Sequence, residues 1–244
     1  MRSGVPERFG GPVRMMRMMV PLLCAIAVFP SLGAGPTGST SAPPAESEDG
    51  FVSLFNGKDL TGWVYGKAGA GENKAGKGYQ VKDGVLYSTP TDGGNLYTEK
   101  EYGDFAFRFD FKLTENANNG IGIRAPLEGD SAYVGMEIQV LDDSGSQYKN
   151  LRPAQYHGSI YGVVPAKRGS LRPVGEWNTE EITAKGRHIT VKVNGQTIVD
   201  ANLDDVTDEK VLREHPGLKR ERGHIGFLGH GARVEFRNMR IKEL

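Results

Sequence analysis

After about residue 50, apolar and polar positions alternate with a period of two. The clearest run is 104–113, where Phe105, Phe107, Phe109, Phe111 and Leu113 alternate with Arg108, Asp110 and Lys112. Successive side chains of a strand point to opposite faces, so the aromatics form one buried face and the charges the other. Met136, Ile138 and Val140 alternate in the same way with Glu137 and Gln139, which puts the two polar side chains together on an outward face. Asp83-Gly84 and Asn194-Gly195 each sit between apolar flanks and predict tight hairpins over 81–87 and 191–198, because both dipeptides tolerate positive φ. Further strands are predicted at 121–124, 160–164, 181–183, 225–228 and 234–241. In the last of these, Val234 and Phe236 fall out of step with Met239 and Ile241, which predicts a bulge near Arg237–Asn238. Only 208–214 reads as helix. Strands separated by turns, without alternating helices, predict an all-β fold: an antiparallel sandwich in one domain over 50–244.

The first 49 residues change the picture of organisation, not of fold. Arg14 and Arg17 precede the apolar run 20–29, and Ser31, Gly33 and Ala34 follow. That order predicts a secretory signal over 1–34, cleaved near Ala34, with export to the periplasm or medium. The alternative is a short membrane anchor, although the run is too short to span a bilayer. Residues 35–49 are rich in Pro, Ser, Thr and Gly and read as a linker. The formal net charge is zero; setting aside Arg2, Glu7, Arg8, Arg14 and Arg17 leaves −3. Nothing in that balance draws the chain to nucleic acid or to an anionic membrane surface. The single cysteine, Cys24, lies in the predicted signal, so thiol catalysis and disulfides are excluded after residue 34. Residues 71–78 nearly fit a phosphate-binding loop, but Gly78 stands where Ser or Thr would hold magnesium, and no helix pattern follows.

Candidate chemistry centres on the outward face of 136–141. Arg124 shares a face with Gly120 and Gly122, and those glycines leave open space beside a sheet. His157 and His230 have glycine neighbours, which lets the backbone place an imidazole at a sheet end, where it can exchange a proton near neutral pH. His188 reads as a surface residue and His215, before Pro216, as a loop residue without a role. The spacing Glu137-x-Gln139-x-x-Asp142 is close to the Glu-x-Asp-x-x-Glu of retaining glucanases. It differs in its middle residue and in the length of its last, and a retaining pair needs its carboxyls about 5–5.5 Å apart. No cofactor follows from the pattern. A divalent metal stays open: His157, His230, Glu137 and Asp142 could converge, or Asp142 and Asp143 could hold calcium, although no spacing such as His-Glu-x-x-His is present.

Several of these segments occur together in one known family. The opening Gly50-Phe51-Val52-Ser53-Leu54-Phe55-Asn56-Gly57-Lys58-Asp59-Leu60-Thr61-Gly62-Trp63 comes first. It is followed by Asn119-Gly120-Ile121 with Arg124, Gly135–Asp142 and Gly175-Glu176-Trp177-Asn178, and the chain closes on Gly223–Phe227 and Val234–Lys242. In this order they resemble the 3-keto-disaccharide hydrolase family. The resemblance implies a concanavalin A-like jelly roll whose concave sheet carries the sugar, and a substrate already oxidised at carbon 3 by a separate sugar oxidase. A 3-ketone acidifies the hydrogen on carbon 2. Such a site therefore needs a base, a holder for the enolate oxygen and an acid for the leaving oxygen. The candidates by side-chain type and face are Glu137 or His230 as base, Arg124 or His157 as enolate holder, and Tyr161 or Asp142 as acid. Gln139, Tyr156, Trp177, Asn178 and Arg237 are the candidate substrate-binding residues. The chain departs from the family's closing pattern at Leu228, where a glutamine is expected. A glycan-binding module without catalysis is the alternative, with Trp63, Tyr97, Tyr133, Tyr156 and Trp177 available to stack on sugar rings.

Overall fold

The computed structural model describes residues 50–67, 78–90 and 93–244. The predicted signal (1–34), the linker (35–49) and all but the last residue of the 71–78 loop lie outside them. Thirteen strands follow in chain order: β1 (Val52–Ser53), β2 (Trp63–Tyr65), β3 (Tyr79–Lys82), β4 (Val85–Ser88), β5 (Gly94–Thr98), β6 (Phe105–Leu113), β7 (Asn118–Ala125), β8 (Met136–Leu141), β9 (Trp177–Lys185), β10 (His188–Val193), β11 (Gln196–Asn202), β12 (His224–Gly229) and β13 (Val234–Glu243). Two short α-helices, α1 (Ser131–Val134) and α2 (Glu209–Glu214), accompany them. The strands form two antiparallel sheets. The larger runs β11-β10-β9-β6-β13-β4-β3, with β1 added beside β13; the smaller runs β2-β5-β12-β7-β8. This is the expected sandwich of jelly-roll class.

Alternation on β6 closes the core. Phe105, Phe107, Phe109 and Phe111 are fully buried, while Arg108, Asp110 and Lys112 are only half-buried on the other face. Phe109 meets Phe227 of the smaller sheet edge to face at 6.4 Å, and Phe227 meets Phe236 at 4.2 Å, so aromatic contacts cross between the sheets. Both predicted hairpins form, with Asp83 and Gly84 at φ 51° and 77° and Asn194 and Gly195 at 50° and 80°. The β13 register against β6 shifts between Arg237 and Arg240, and Asn238 takes φ 53°, which is the predicted bulge. Helix α2 starts where the sequence places it: the Asp208 carboxylate accepts from the Lys210 and Val211 amides.

One predicted strand does not form. Residues 160–164 make a turn with isolated bridges Ile138–Ile160 and Ile160–Val164, closed by the Val163 and Val164 amides on the Ile160 carbonyl. The segment bonds to itself, which leaves no run of backbone to pair along a neighbour. Among the described residues no helix is long and apolar enough to cross a membrane.

Candidate active site

The outer face of the smaller sheet is thinned by glycine. One cross-strand row reads Tyr97, Gly226, Gly122 and Glu137 on β5, β12, β7 and β8. A Cβ on Gly226 would overlap the Tyr97 ring, and a Cβ on Gly120 would overlap Glu137 Oε1. The two side chains therefore lie down over glycine backbone. Over this floor is a cleft of about 250 Å³ lined by Asn95, Asn118, Asp130, Ala132, Tyr133, Glu137, Gln139, Tyr161, Leu228 and His230. Its walls are α1, N-capped by the Asp130 carboxylate on the Ala132 amide, and the 160–164 turn, tied to β8 by the Tyr161 amide on the Glu137 carbonyl.

Glu137, Gln139, Tyr161 and His230 thus come together; alternation predicts the shared face only for Glu137 and Gln139, since Tyr161 sits in a turn and His230 in a loop. Glu137 and Gln139 are each only 4% exposed, and Glu137 Oε1, Gln139 Oε1 and Asn118 Oδ1 are buried without a hydrogen-bond partner. Three orphaned acceptors in one polar cleft fit the hydroxyl donors of a sugar, because a buried acceptor left unpaired costs free energy. His230 Nε2 lies 3.6 Å from Glu137 Oε1. The Glu137 carboxylate, acting through that contact against the opposing effect of burial, raises the imidazole pKa above its usual value. Gln155 Nε2 donates to the Tyr161 hydroxyl at 3.0 Å, which leaves the phenol proton free to be given elsewhere.

Other candidates lie elsewhere, and each placement has a physical reason. Alternation would set Arg124 beside Gly120 and Gly122, but Arg124 takes φ 49° and the β7–β12 register shifts opposite it. Its guanidinium is buried and donates to the carbonyls of Gly103, Gly186 and Arg220 and to the Asp104 carboxylate, so it pins three loops together. His157 turns into the core: it stacks on Phe111 at 5.1 Å, Nδ1 accepts from the Leu141 amide, and Nε2 faces Glu180 Oε2 at 3.5 Å. The Asp142 carboxylate caps its own loop, accepting from the Asn116 and Ser144 amides and the Ser144 hydroxyl. Asn178 accepts from the Arg172 amide and from Asn194 Nδ2. Arg168 covers the Tyr156 ring at 3.8 Å. Trp177 and Arg237 stack at 3.9 Å on the outer face of the larger sheet, opposite the cleft.

The four side chains His157, His230, Glu137 and Asp142 therefore do not converge on a metal. Among the described residues no group of three or more His, Cys, Asp or Glu is placed to hold one. Asn95, Asn118 and Asp130 were not expected in the site. Asn95 sits on a five-residue strand that starts with glycine, too short for periodicity to show, and Asp130 is set by a one-turn helix. Leu228 has the reverse history. The position where the sequence departs from the family pattern lies on the cleft floor, where it packs over Gly122 and puts an apolar side chain among the amides.

A family model described as the 3-keto-alpha-glucoside-1,2-lyase-like domain matches residues 50–242. The chain belongs to that family. Across 90% of its length it is 24% identical to a 3-keto-disaccharide hydrolase of Bacteroides thetaiotaomicron, 87% of which is covered. Two crystal structures from Parabacteroides distasonis, each named as a candidate glycosyl hydrolase, superpose on 80% of the chain. One has a TM-score of 0.67 at 28% identity over 94% of its length, the other 0.66 at 26% over 99%. Membership in the 3-keto-alpha-glucoside-1,2-lyase-like family makes the chain a glycoside hydrolase-like enzyme.

Proposed function

We propose that this enzyme cleaves the glycosidic bond of 3-keto-glycosides; its Bacteroides relative is named as a 3-keto-disaccharide hydrolase. The reading is carried by one observation: a buried carboxylate with an unpartnered oxygen lies beside an imidazole of raised pKa in a sugar-sized polar cleft. Glu137 takes the proton from carbon 2, and the electron pair of that C–H bond moves onto the 3-keto oxygen as an enolate. Protonated His230 holds that oxygen. The enolate then re-forms the ketone, a double bond forms between carbons 1 and 2, and the bond from carbon 1 to the leaving oxygen breaks. Tyr161 protonates the departing oxygen; water then adds its oxygen to carbon 1 and gives a proton back to the Tyr161 oxygen, the double-bond electrons move to carbon 2, and Glu137 returns its proton there. Arg124, His157 and Asp142 take no part in this assignment, because none of them lines the cleft.

Asp130 favours a second reading, since it places another carboxylate in the same cleft and so allows ordinary two-carboxylate hydrolysis of an unoxidised sugar. Turnover of a 3-keto-glucoside beside its parent glucoside separates the two. Glu137→Gln keeps the shape but not the base, so 3-keto turnover should fall by about 10²–10⁴, the scale of general-base catalysis. Equal cleavage of both sugars by the parent enzyme would favour Asp130 and hydrolysis, whereas binding without turnover of either would leave a lectin-like module. We further propose that the enzyme is exported by way of residues 1–34 and acts downstream of a sugar 3-oxidase. Sequencing the N-terminus of protein recovered outside the cytoplasm tests the export, and an intact 20–29 segment there would contradict it.

A further inference from the structure

His215 carries no chemistry in the scheme above, yet it is buried at 4% exposure and touches both walls of the cleft. On one side its Nδ1 lies 3.0 Å from the Ala132 carbonyl of α1, and its ring stacks on Tyr133 at 5.0 Å and 33°. A carbonyl can only accept, so Nδ1 is the protonated nitrogen of this ring. On the other side the ring presses against Gly162 in the turn that carries Tyr161. Gly162 takes φ 72°, and a Cβ there would come within 2.8 Å of Nε2 and 2.9 Å of Cε1. Glycine is required at that point both for the backbone angle and for the close approach.

The imidazole is itself held from behind. The His215 backbone amide donates to the Val211 carbonyl of α2 at 2.8 Å, and the His215 carbonyl accepts from the Leu218 amide at 3.1 Å. Gly217 in that same turn approaches Gly135, the residue after α1, so closely that a Cβ would overlap its backbone. Helix α1 has only four residues and cannot stand alone; below about 12 residues a helix depends on its packing. The turn 160–164 has no continuous strand pairing.

We propose that His215 is a positioning residue that braces the two walls of the cleft against each other and so fixes the opening between Tyr133 and Tyr161. Both tyrosines line the cleft. The separation of their rings sets how closely a sugar ring is gripped, and Tyr161 is also the acid of the scheme above, while Glu137 and His230 are held by β8 and by the loop after β12. His215 therefore governs affinity for the sugar through both tyrosines and the rate of the chemical step only through Tyr161. This rests on the cleft being the substrate site.

The test uses His215→Phe, which keeps a ring on Tyr133 but loses the bond to Ala132, and His215→Asn, which keeps an N–H near the Nδ1 position but loses the ring. Two things are measured on the full chain: kcat and KM for a 3-keto-glucoside, and backbone hydrogen exchange without sugar. Exchange is followed at Tyr133 and Val134 of α1, at Gly135 just after it, and at Val163 and Val164 of the turn. His215→Phe should raise KM about tenfold, the scale of one lost hydrogen bond, should lower kcat as Tyr161 is displaced, and should speed exchange at both walls. His215→Asn should keep α1 protected and recover part of the KM loss. Unchanged exchange at both walls in the folded variants, or a fall in kcat at constant KM, overturns the proposal. If His215→Phe does not fold, His215→Asn decides it alone through faster exchange at the turn together with a raised KM; the absence of either overturns it. Exchange is read without substrate, so an inactive parent enzyme would remove the catalytic reading while leaving the bracing to be judged separately.

Discussion

At the scale of the residue, the core holds an unusual pair. Glu180 points inward from β9, is fully buried, and neither of its carboxyl oxygens has a hydrogen-bond partner. His157 Nε2 lies 3.5 Å from Glu180 Oε2. Since His157 Nδ1 accepts from the Leu141 amide, the neutral imidazole carries its proton on Nε2, towards Glu180. Burial pushes the Glu180 carboxyl well above its usual 4.5 and lowers the His157 imidazole from 6.5 to about 3. The two shifts oppose each other in their effect on stability. Between about pH 3 and 6.5 the unfolded chain binds a proton at His157 that the native state refuses, so this group favours folding more as pH rises. Above pH 4.5 the unfolded chain ionises Glu180 while the native state keeps it protonated, so the Glu180 contribution is full below 4.5 and lost as pH rises. Glu180→Gln removes only the second effect. In urea melts its stability relative to the parent protein should therefore climb as pH rises from about 5 to 8, and a pH-independent difference would contradict the assignment. Alternation with Ile182 sets Glu180 on the inward face, but no sequence pattern announces its partner, because the loop that brings His157 to it is a property of the folded sandwich. Arg124 shows the same limit: its alternation reads outward, and a single left-handed φ sends the guanidinium to the loops instead.

At the scale of the element, strands with strong alternation were legible and short or self-bonded ones were not. The four phenylalanines of β6 identify their face from sequence alone, and Phe107→Ala should cost about 3–5 kcal/mol in denaturant melts; a loss below about 1 kcal/mol would mean the face is not the core. The segment 160–164 has strand-like residues but bonds to itself, and β5 is too brief to show a period. Strand β7 carries a sharper prediction. Gly120 has no positive φ, so its backbone accepts alanine, yet a Cβ there takes the space of the Glu137 carboxyl. The far end of a glutamate can swing aside at little cost to the fold. Gly120→Ala should then lower kcat at least about tenfold, because small misplacement of a catalytic group is costly, while the melting temperature moves by only a few degrees. A large drop in melting temperature with kcat intact would show that Glu137 is not the group displaced.

At the scale of the molecule, the two sheets divide the work, and here the sequence was only half readable. Alternation tells which residues leave the core but not through which sheet. Glu137 and Gln139 leave through the smaller sheet, whose glycines and one-turn helix make room for a ligand. Trp177 and Arg237, expected at the substrate, leave through the larger one. That outer face is filled by its own charges: Arg237 bonds Asp110 at 3.2 Å and covers Trp177, Lys112 pairs with Glu235, and Arg108 and Lys192 share Glu181. A tryptophan face already occupied by a guanidinium, with Lys112 at 4.9 Å, is poorly placed to stack on a sugar. Exposed pairs of this kind contribute little each, about 0–1 kcal/mol. Trp177→Ala and Arg237→Ala should therefore cost modest stability and leave KM for a 3-keto-glucoside within about twofold. Gln139→Ala removes a buried, unpartnered acceptor from the cleft floor, so it should raise KM about tenfold with the fold intact. Steady-state kinetics on the three variants decides between the faces: a larger KM effect from Trp177 than from Gln139 would move the sugar to the larger sheet and leave the orphaned acceptors of the cleft without a role.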